Sequence, residues 1–272
     1  MEVTNMKMTK KQIYAQRGID FDGSHIKSPA GWISPVLVDG NGKIGKGIYH
    51  FSTLPGTAIY SVVIDGASYD VNGTCPCDCV GCYAMTGNFK RYPDVMRGLA
   101  IKTWLARNYM KWLENAILAQ IDADHIKFIR IHASGDFFSI EYVQLWKRIA
   151  LARPDVTIWT YTKFKAAENA FQDIPNANIV KSIIPGKGKN YGTCAYVLAL
   201  YEYLKTAGKN VYICRCGIDP NQHCTNCRGC SVNEYVLFIE HSTEYNAKKD
   251  PLFPVIKQII ESQAIPAAAP AA

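Results

Sequence analysis

The chain has 272 residues, 48% of them hydrophobic and 19% charged, which is the composition of an ordinary folded globular protein. It has no run of about 18 or more apolar residues, as a transmembrane helix requires. Its polar, basic N-terminal segment also lacks the apolar centre of a signal peptide. The net charge of +7 permits a polyanionic partner but does not require one, because the basic residues are scattered. We therefore expect a cytoplasmic protein with no membrane contact.

The predicted elements alternate between strands and helices. A strand at 59–64 precedes a first group of cysteines, and a long amphipathic helix begins at Pro93-Asp94 and continues through Ala116. The remaining predicted strands are 126–131, 156–161, 178–184, 211–214 and 235–240, and the remaining predicted helices are 141–152, 164–171, 195–207 and 252–261. This alternation predicts an α/β fold with a parallel sheet, as a partial or full (β/α) barrel.

Four segments follow from this pattern and from the composition. Residues 1–48 are rich in Gly, Lys and polar groups and predict an extended lead-in, and residues 49–210 form the barrel core. Residues 211–264 hold the second group of cysteines and a closing helix, and the Ala/Pro-rich tail 265–272 is predicted to be disordered.

Loops at the carboxyl ends of barrel strands carry the chemistry in such folds. The loops at 132–139 and 181–190 both occupy that position. His132 begins the first of them and is either a ligand contact or a hydrogen-bonded strand-end histidine. Arg130 alternates with Phe128 along its strand, so its side chain is expected to face the barrel interior.

The ten cysteines are concentrated in two groups, which in a reducing compartment indicates metal sites. The first group contains Cys75-x3-Cys79-x2-Cys82, a spacing that holds a [4Fe-4S] cluster by three irons and leaves the fourth open. Cys77 is an additional thiol inside this loop. If Cys77 binds the fourth iron, the cluster is closed; zinc is a further alternative.

The second group supplies five thiols between residues 214 and 230. An auxiliary [4Fe-4S] cluster would use four of these five, or a mixture that includes the isolated Cys194. The alternative is a structural zinc site, with His223 as another candidate ligand. The five thiols are Cys214, Cys216, Cys224, Cys227 and Cys230.

The order of motifs resembles the radical SAM superfamily. The cysteine loop is followed by the strand and loop IRIHASGDFFS and then by PDVTIWTYTK, similar to the second and third barrel units of that superfamily. Within it, the pattern TCP…C…CYA, R-x-H-x-SGDF and T-x-TK resembles a family of phage-encoded, radical-SAM-like gene products of unknown role. The match covers roughly residues 48 to 230.

This resemblance implies a role for particular residues. Three irons would be bound by Cys75, Cys79 and Cys82. The open iron would bind S-adenosylmethionine (SAM), which is then cleaved reductively to generate a radical. The further contacts that the resemblance implies for SAM are Ser134, Gly135 and Asp136 at its amino group, Ser182 near its ribose, and the aromatic Tyr83 beside the last cysteine. In the superfamily an aromatic residue usually precedes that cysteine, where this chain has Gly81.

Three functions therefore compete. The first is a radical SAM enzyme with an auxiliary cluster, an external electron donor, and a substrate such as a nucleic acid or a peptide, acting in the host cytoplasm if the gene is phage-encoded. The second is a non-SAM iron–sulfur protein with a closed cluster. The third is a zinc-stapled nucleic-acid-binding protein.

Overall fold

A computed structural model describes residues 8–40, 44–56, 59–76, 84, 91–182, 191–215, 219, 222–239 and 246–264. None of the helices in these ranges has the length and hydropathy needed to cross a bilayer. The strands are β1 Ile26–Ser28, β2 Gly31–Ile33, β3 Val38–Asp39, β4 Tyr49–Phe51, β5 Ile59–Ile64, β6 Ala67–Asn72, β7 Phe128–Ile131, β8 Thr157–Thr162, β9 Ala177–Lys181, β10 Tyr191–Gly192, β11 Val211–Ile213 and β12 Tyr235–Ile239. The helices are α1 Lys10–Gln16, α2 Pro93–Asn108, α3 Met110–Asp124, α4 Ile140–Ala152, α5 Lys165–Ala170, α6 Cys194–Thr206, α7 Cys224–Cys227 and α8 Phe253–Ser262.

The main sheet has five strands in the order β3-β4-β7-β8-β9. Strands β4, β7, β8 and β9 are parallel, and β3 is an antiparallel edge strand. A second sheet orders β10, β12 and β11 in parallel, and two hairpins, β1–β2 and β5–β6, complete the described strands. The strands of the described ranges thus form separate sheets, without closing a barrel.

The two sheets are linked side by side. The backbone N–H of Lys181, the last residue of β9, donates to the carbonyl of Glu234 just before β12. The amide of Asn178 in β9 donates to the carbonyls of Cys230 and Asn233. The second sheet therefore continues beyond β9, on the side away from β4.

The faces of the main sheet follow the alternation of its side chains. Ile129, Ile131 and Ile158 point to one face and pack in a large hydrophobic core with helices α1, α3 and α4. Phe128, Trp159 and Val180 belong to a different cluster on the opposite face. We call this opposite face the inner face of the sheet, and Arg130 occupies it by alternation.

Each predicted strand and helix is present, at least in part, in the described residues, but the predicted strand 59–64 pairs in an antiparallel hairpin and not in the parallel sheet. The ends of the predicted strands 178–184 and 235–240 lie outside the described residues. The predicted helix from Pro93 to Ala116 is interrupted at Tyr109, whose backbone (φ −138°, ψ 47°) is not helical. The side-chain amide of Asn108, the last residue of α2, also donates to the carbonyl of Trp104 one turn earlier. The predicted extended lead-in contains the helix α1, which Thr9 and Gln12 begin with a capping box.

Candidate functional site

The carboxyl edge of the main sheet gathers four of the residues predicted to contact SAM. Ser134, Gly135 and Asp136 lie in the loop 132–139 after β7, which we call the Asp136 loop. The backbone N–H of Ser182, after β9, donates to the carbonyl of Thr162 at the end of β8. Thr162 in turn contacts Asp136. The four predicted residues therefore lie along one edge, after β7 and β9, with the end of β8 between them.

Asp136 is buried and its carboxylate accepts three hydrogen bonds. Thr162 donates its hydroxyl and Phe137 its backbone N–H to Oδ1, and Lys163 donates its backbone N–H to Oδ2 at 2.8 Å. Burial raises the pKa of Asp136, and these three donors oppose that rise. The carboxylate thus fixes the ends of β7 and β8 to each other.

Two threonines that the sequence analysis did not select hold the other side of this loop. The hydroxyl of Thr74 accepts from the backbone N–H of Asp136 at 3.0 Å and lies 2.9 Å from the hydroxyl of Thr53. A Cβ atom on Gly135 would lie 2.0 Å from the Thr53 hydroxyl, and its φ of +78° also favours glycine. Ser134 donates its hydroxyl to the carbonyl of Thr53. Thr74 belongs to the TCP motif, but nothing in the sequence paired it with Thr53. The two become neighbours because the backbone N–H of Thr74 donates to the carbonyl of Leu54.

The first cysteine of the predicted cluster lies next to this loop. Cys75 directly follows Thr74, is partly buried, and accepts a hydrogen bond from the backbone N–H of Gly56 at 3.2 Å. An N–H group directed at sulfur favours a thiolate, the form in which cysteine binds metal. The other predicted residues of the first site, Cys77, Cys79, Cys82 and Tyr83, lie outside the described residues.

Four thiols of the second group gather against the inner face of the sheet. Cys214, Cys227 and Cys230 are buried in one cluster with Trp159, and Cys224 packs against it. We call residues 214–230 the thiol segment; Cys216 lies outside its described part.

The surroundings of the thiol segment are aromatic and basic. The hydroxyl of Tyr212 lies 3.1 Å from the sulfur of Cys227 and accepts from Nε of Arg215 at 2.9 Å. Burial raises the pKa of Cys230 to about 12, and the neighbouring thiol of Cys224 adds to that rise. The thiols of Cys224 and Cys230 are therefore near each other, and neighbouring thiols are groups that a soft metal prefers.

The remaining thiol occupies a different position. Cys194 is the first residue of α6 and is buried in the cluster formed by α6, α8 and the second sheet. The structure therefore does not bring Cys194 together with the thiol segment. Within the described ranges, no three His, Cys, Asp or Glu side chains are positioned to hold one metal ion.

His132 is a hydrogen-bonded strand-end residue. Its ring is buried, with Nε2 at 3.1 Å from the hydroxyl of Tyr142 and an edge-to-face contact with Phe137. Burial lowers its pKa to about 3, so the ring is neutral at physiological pH. Of the two interpretations of the sequence, the structural one fits these contacts.

Comparisons with known proteins place the chain among phage gene products. The profile of a family described as Gene product 88 matches residues 35–230. The chain is 49% identical over 41 residues to the Gene 88 protein of Mycobacterium phage L5, covering 15% of this chain and 17% of that protein. It is 30% identical over 96 residues to the Gene 88 protein of Mycobacterium phage D29, covering 32% of this chain and 39% of that protein. The matches therefore span well under half of either relative, and no solved structure matches.

Proposed function

The chain belongs to the Gene product 88 family, which its profile covers from residue 35 to residue 230, and we propose that it is a radical SAM enzyme. In this proposal the parallel strands β4, β7, β8 and β9 are part of a radical-SAM-like (β/α) barrel. The thiols of Cys75, Cys79 and Cys82 hold a [4Fe-4S] cluster, and the thiol segment holds an auxiliary cluster or zinc. Bound to these thiols, such a cluster would supply the one-electron reduction, with an electron from an external donor, that cleaves a carbon–sulfur bond of SAM.

One observation carries the proposal: the base of the cysteine loop lies against the Asp136 loop. Thr74, the residue before Cys75, accepts from the backbone N–H of Asp136 at 3.0 Å. A ligand that bound iron at the cysteine loop would therefore be within reach of the carbonyls and side chains of residues 134–136. Chain order does not require this contact, since about sixty residues separate the two segments.

Backbone and side-chain groups around Cys75 and the Asp136 loop would hold both segments in place for a cofactor. The N–H of Gly56 stabilises the thiolate of Cys75, and the hydrogen bonds of Thr53 and Thr74 fix the backbone of the Asp136 loop. Leu54, fully buried between these threonines and α2, excludes water from beneath the loop. Pre-organised polar groups of this kind are what a cofactor enzyme contributes to its cofactor's chemistry.

A second candidate is an iron–sulfur protein that does not bind SAM. The observation in its favour is that the Asp136 carboxylate already accepts three internal hydrogen bonds. A carboxylate offers about four acceptor positions, so at most about one remains for a ligand's amino group. In this case Cys77 would close the cluster.

Electron paramagnetic resonance (EPR) distinguishes the two candidates. The protein is purified without oxygen, its iron and sulfide are quantified, and spectra of the dithionite-reduced form are recorded with and without SAM. The radical SAM proposal expects a [4Fe-4S] signal whose g values shift with SAM. It also expects the component of the signal that shifts with SAM to survive Cys77→Ala and to be lost in Cys75→Ala, while the control Cys194→Ala keeps it. A signal that ignores SAM and disappears in Cys77→Ala would establish the closed cluster instead.

A further inference from the structure

The side chain of Gln263 covers the edge of β11 that faces away from β12. Strand β11 pairs with β12 on one side. On the other side, the backbone N–H of Ile213 donates to Oε1 of Gln263 at 2.7 Å, and Nε2 of Gln263 donates to the carbonyl of Ile213 at 3.1 Å. One side-chain amide thus forms two hydrogen bonds that a neighbouring strand could form. Ile213 directly precedes Cys214, so this contact lies next to the first thiol of the thiol segment.

Helix α8 holds Gln263 in this position. Gln263 is the C-cap residue of α8, and its backbone N–H donates to carbonyls in the last turn of the helix. Ile256 and Ile260 of α8 are fully buried in the hydrophobic cluster that also contains Ile213. We call residues 253–263 the α8 strap. The strap is therefore anchored by its apolar face and joined to β11 by one polar side chain.

A chain of hydrogen bonds joins the strap to the sulfur of Cys227. Arg215 donates from a terminal nitrogen to the carbonyl of Gln263, and from Nε to the hydroxyl of Tyr212 at 2.9 Å. The Tyr212 hydroxyl lies 3.1 Å from the sulfur of Cys227. Tyr212 and Cys227 are both buried, so water competes little for this contact. A change at the Cys227 sulfur is therefore connected to the strap through two side chains.

The strength of this chain depends on the state of Cys227. A guanidinium only donates, so the Tyr212 oxygen accepts from Arg215, and the hydroxyl proton remains available for sulfur. A neutral thiol is a weak donor and a weak acceptor, whereas a metal-bound cysteine is a thiolate and only accepts. A hydrogen bond to a charged acceptor is roughly twice as strong as a neutral one. Because hydrogen bonds in series polarise one another, a stronger bond from Tyr212 to sulfur also strengthens the bond from Arg215 to Tyr212.

We propose that the α8 strap retains the metal of the thiol segment: binding of metal at Cys227 tightens the strap, and the tightened strap holds the metal more firmly. The two effects are equal, because a metal that prefers the strapped form favours that form by the same factor. Tyr212, Arg215 and Gln263 are positioning residues, since they act on the metal through the Cys227 sulfur. The inference rests on the proposed function only for the metal at the thiol segment and does not require SAM.

Hydrogen exchange at the backbone N–H of Ile213 measures the strap directly, because this group donates to Gln263. The full chain is prepared without oxygen, and exchange is followed by NMR in metal-free protein and in protein loaded with zinc. Zinc should slow exchange at Ile213 by about tenfold. Cys227→Ala lacks the sulfur at the end of the chain and should show no such slowing.

Tyr212→Phe separates the hydrogen-bond chain from the metal ligands. It keeps the aromatic ring and all the thiols, so it should still bind zinc, but zinc should no longer slow exchange at Ile213. Competition with a chelator should show zinc bound about tenfold more weakly at the site that Cys227→Ala removes. A role of the hydroxyl in packing alone would change neither the zinc affinity nor the response of Ile213 to zinc.

Arg215→Met should also abolish the slowing, and Lys257→Met is its matched control. Lys257 borders the same cleft as Arg215 and carries the same charge, but its ion pair is with Glu261 inside α8. Lys257→Met should therefore keep the response of Ile213 to zinc. A response that persists in full in both Tyr212→Phe and Arg215→Met would overturn the proposal, since the chain would not carry the coupling.

The remaining outcomes distinguish this proposal from the proposed function. Zinc that binds at Cys227 but leaves exchange at Ile213 unchanged would overturn the strap and keep the thiol segment as a metal site. Equal responses of the wild type and Cys227→Ala would mean that Cys227 does not bind the metal, and both the strap and the metal of the thiol segment would be wrong. The radical SAM assignment is tested separately, because the EPR shift with SAM reports the cluster at Cys75.

Discussion

The Asp136 loop and the thiol segment both lie against the main sheet, but they differ in how far their buried polar groups are hydrogen-bonded. In the Asp136 loop, the side chains of Ser134 and Asp136 bond to neighbouring backbone or hydroxyl groups. In the thiol segment, Nδ1 of His223 and one terminal nitrogen of Arg228 are buried with no partner in the described part of the chain. The side chains of Ser134 and Asp136 thus find their hydrogen-bond partners within the protein.

The comparison indicates in which region a bound group would have the larger effect. Buried polar atoms in native proteins nearly always find partners, so under the proposed function a metal or ligand would complete the thiol segment. Four thiols beside these atoms suit a soft metal, whose negative thiolate shell would attract Arg228 and Arg215. The Asp136 loop should accordingly be stable without any cofactor, and the thiol segment should not.

Gly135→Ala is expected to have the largest effect on the free energy of unfolding, because the added methyl group has no room in the Asp136 loop. The new Cβ would lie 2.0 Å from the Thr53 hydroxyl and 2.6 Å from the Thr74 hydroxyl, at a φ of +78°. We expect a loss of about 3–5 kcal/mol in the free energy of unfolding, measured with urea.

Gly208→Ala is the matched control. Gly208 has a φ of +68° but nothing within 4 Å of its added Cβ, so it isolates the backbone strain. It should cost about 1 kcal/mol. Equal losses in the two variants would mean that the contact with Thr53 and Thr74 does not constrain the loop.

Asp136→Asn should have the next largest effect. The amide keeps the shape of the carboxylate but presents an N–H group where a backbone N–H or the Thr162 hydroxyl now donates. We expect a loss of about 2–3 kcal/mol in urea unfolding, with or without metal. Asp173→Asn, at an exposed position, should change the stability by less than about 0.5 kcal/mol. A loss that appears only in metal-loaded protein would make Asp136 a cofactor contact and not a structural one.

The elements that the sequence predicts well are those with a local signal. The strand Thr157–Thr162 and the helix Ile140–Ala152 match their predictions within one residue at each end, because apolar periodicity and turn residues mark them directly. The interruption at Tyr109 escaped prediction, since the apolar stripe continues across it. The same logic explains why α1 was missed: its short, mostly exposed sequence has little periodicity, and its capping box is its only signal.

The residues of the candidate site also fall into those with a local sequence signal and those without one. The loop after β7 was predicted from its position after a strand, and Asp136 from its motif. The partners Thr53 and Thr74 were not predicted, because tertiary packing around Leu54 brings them together from distant parts of the chain. Such neighbours carry no spacing signal in the sequence.

The pH dependence of stability tests whether the Asp136 loop is closed to water. Burial lowers the pKa of His132 to about 3 and that of His50 to about 4, whereas histidines of an unfolded chain titrate near about 6.5. The folded state therefore binds fewer protons, so the stability is complete above pH about 6.5 and falls as the pH drops towards 4. The slope should reach about 1.4 kcal/mol per pH unit for each histidine.

Urea unfolding at several pH values between about 7 and 4 measures this slope. His132→Gln should reduce it by the share of one histidine, and His25→Gln, at an exposed position, should not change it. An unchanged slope in His132→Gln would show that protons reach His132 in the folded state and that the loop opens readily.

Cys227→Ala is expected to have the smallest effect on the stability of the metal-free protein. It tests the thiol segment, whereas the preceding variants test the Asp136 loop. Without metal it removes a contact between the thiol and the Tyr212 hydroxyl at 3.1 Å and should cost about 1 kcal/mol. Cys194→Ala removes a thiol of equal size from a different buried cluster and should cost about the same. Reconstitution with iron and sulfide, or with zinc, should then raise the Tm of the wild type and of Cys194→Ala. The Tm of Cys227→Ala should rise much less. If all three proteins gain equally, the thiol segment does not bind the metal, and its buried His223 and Arg228 require another partner.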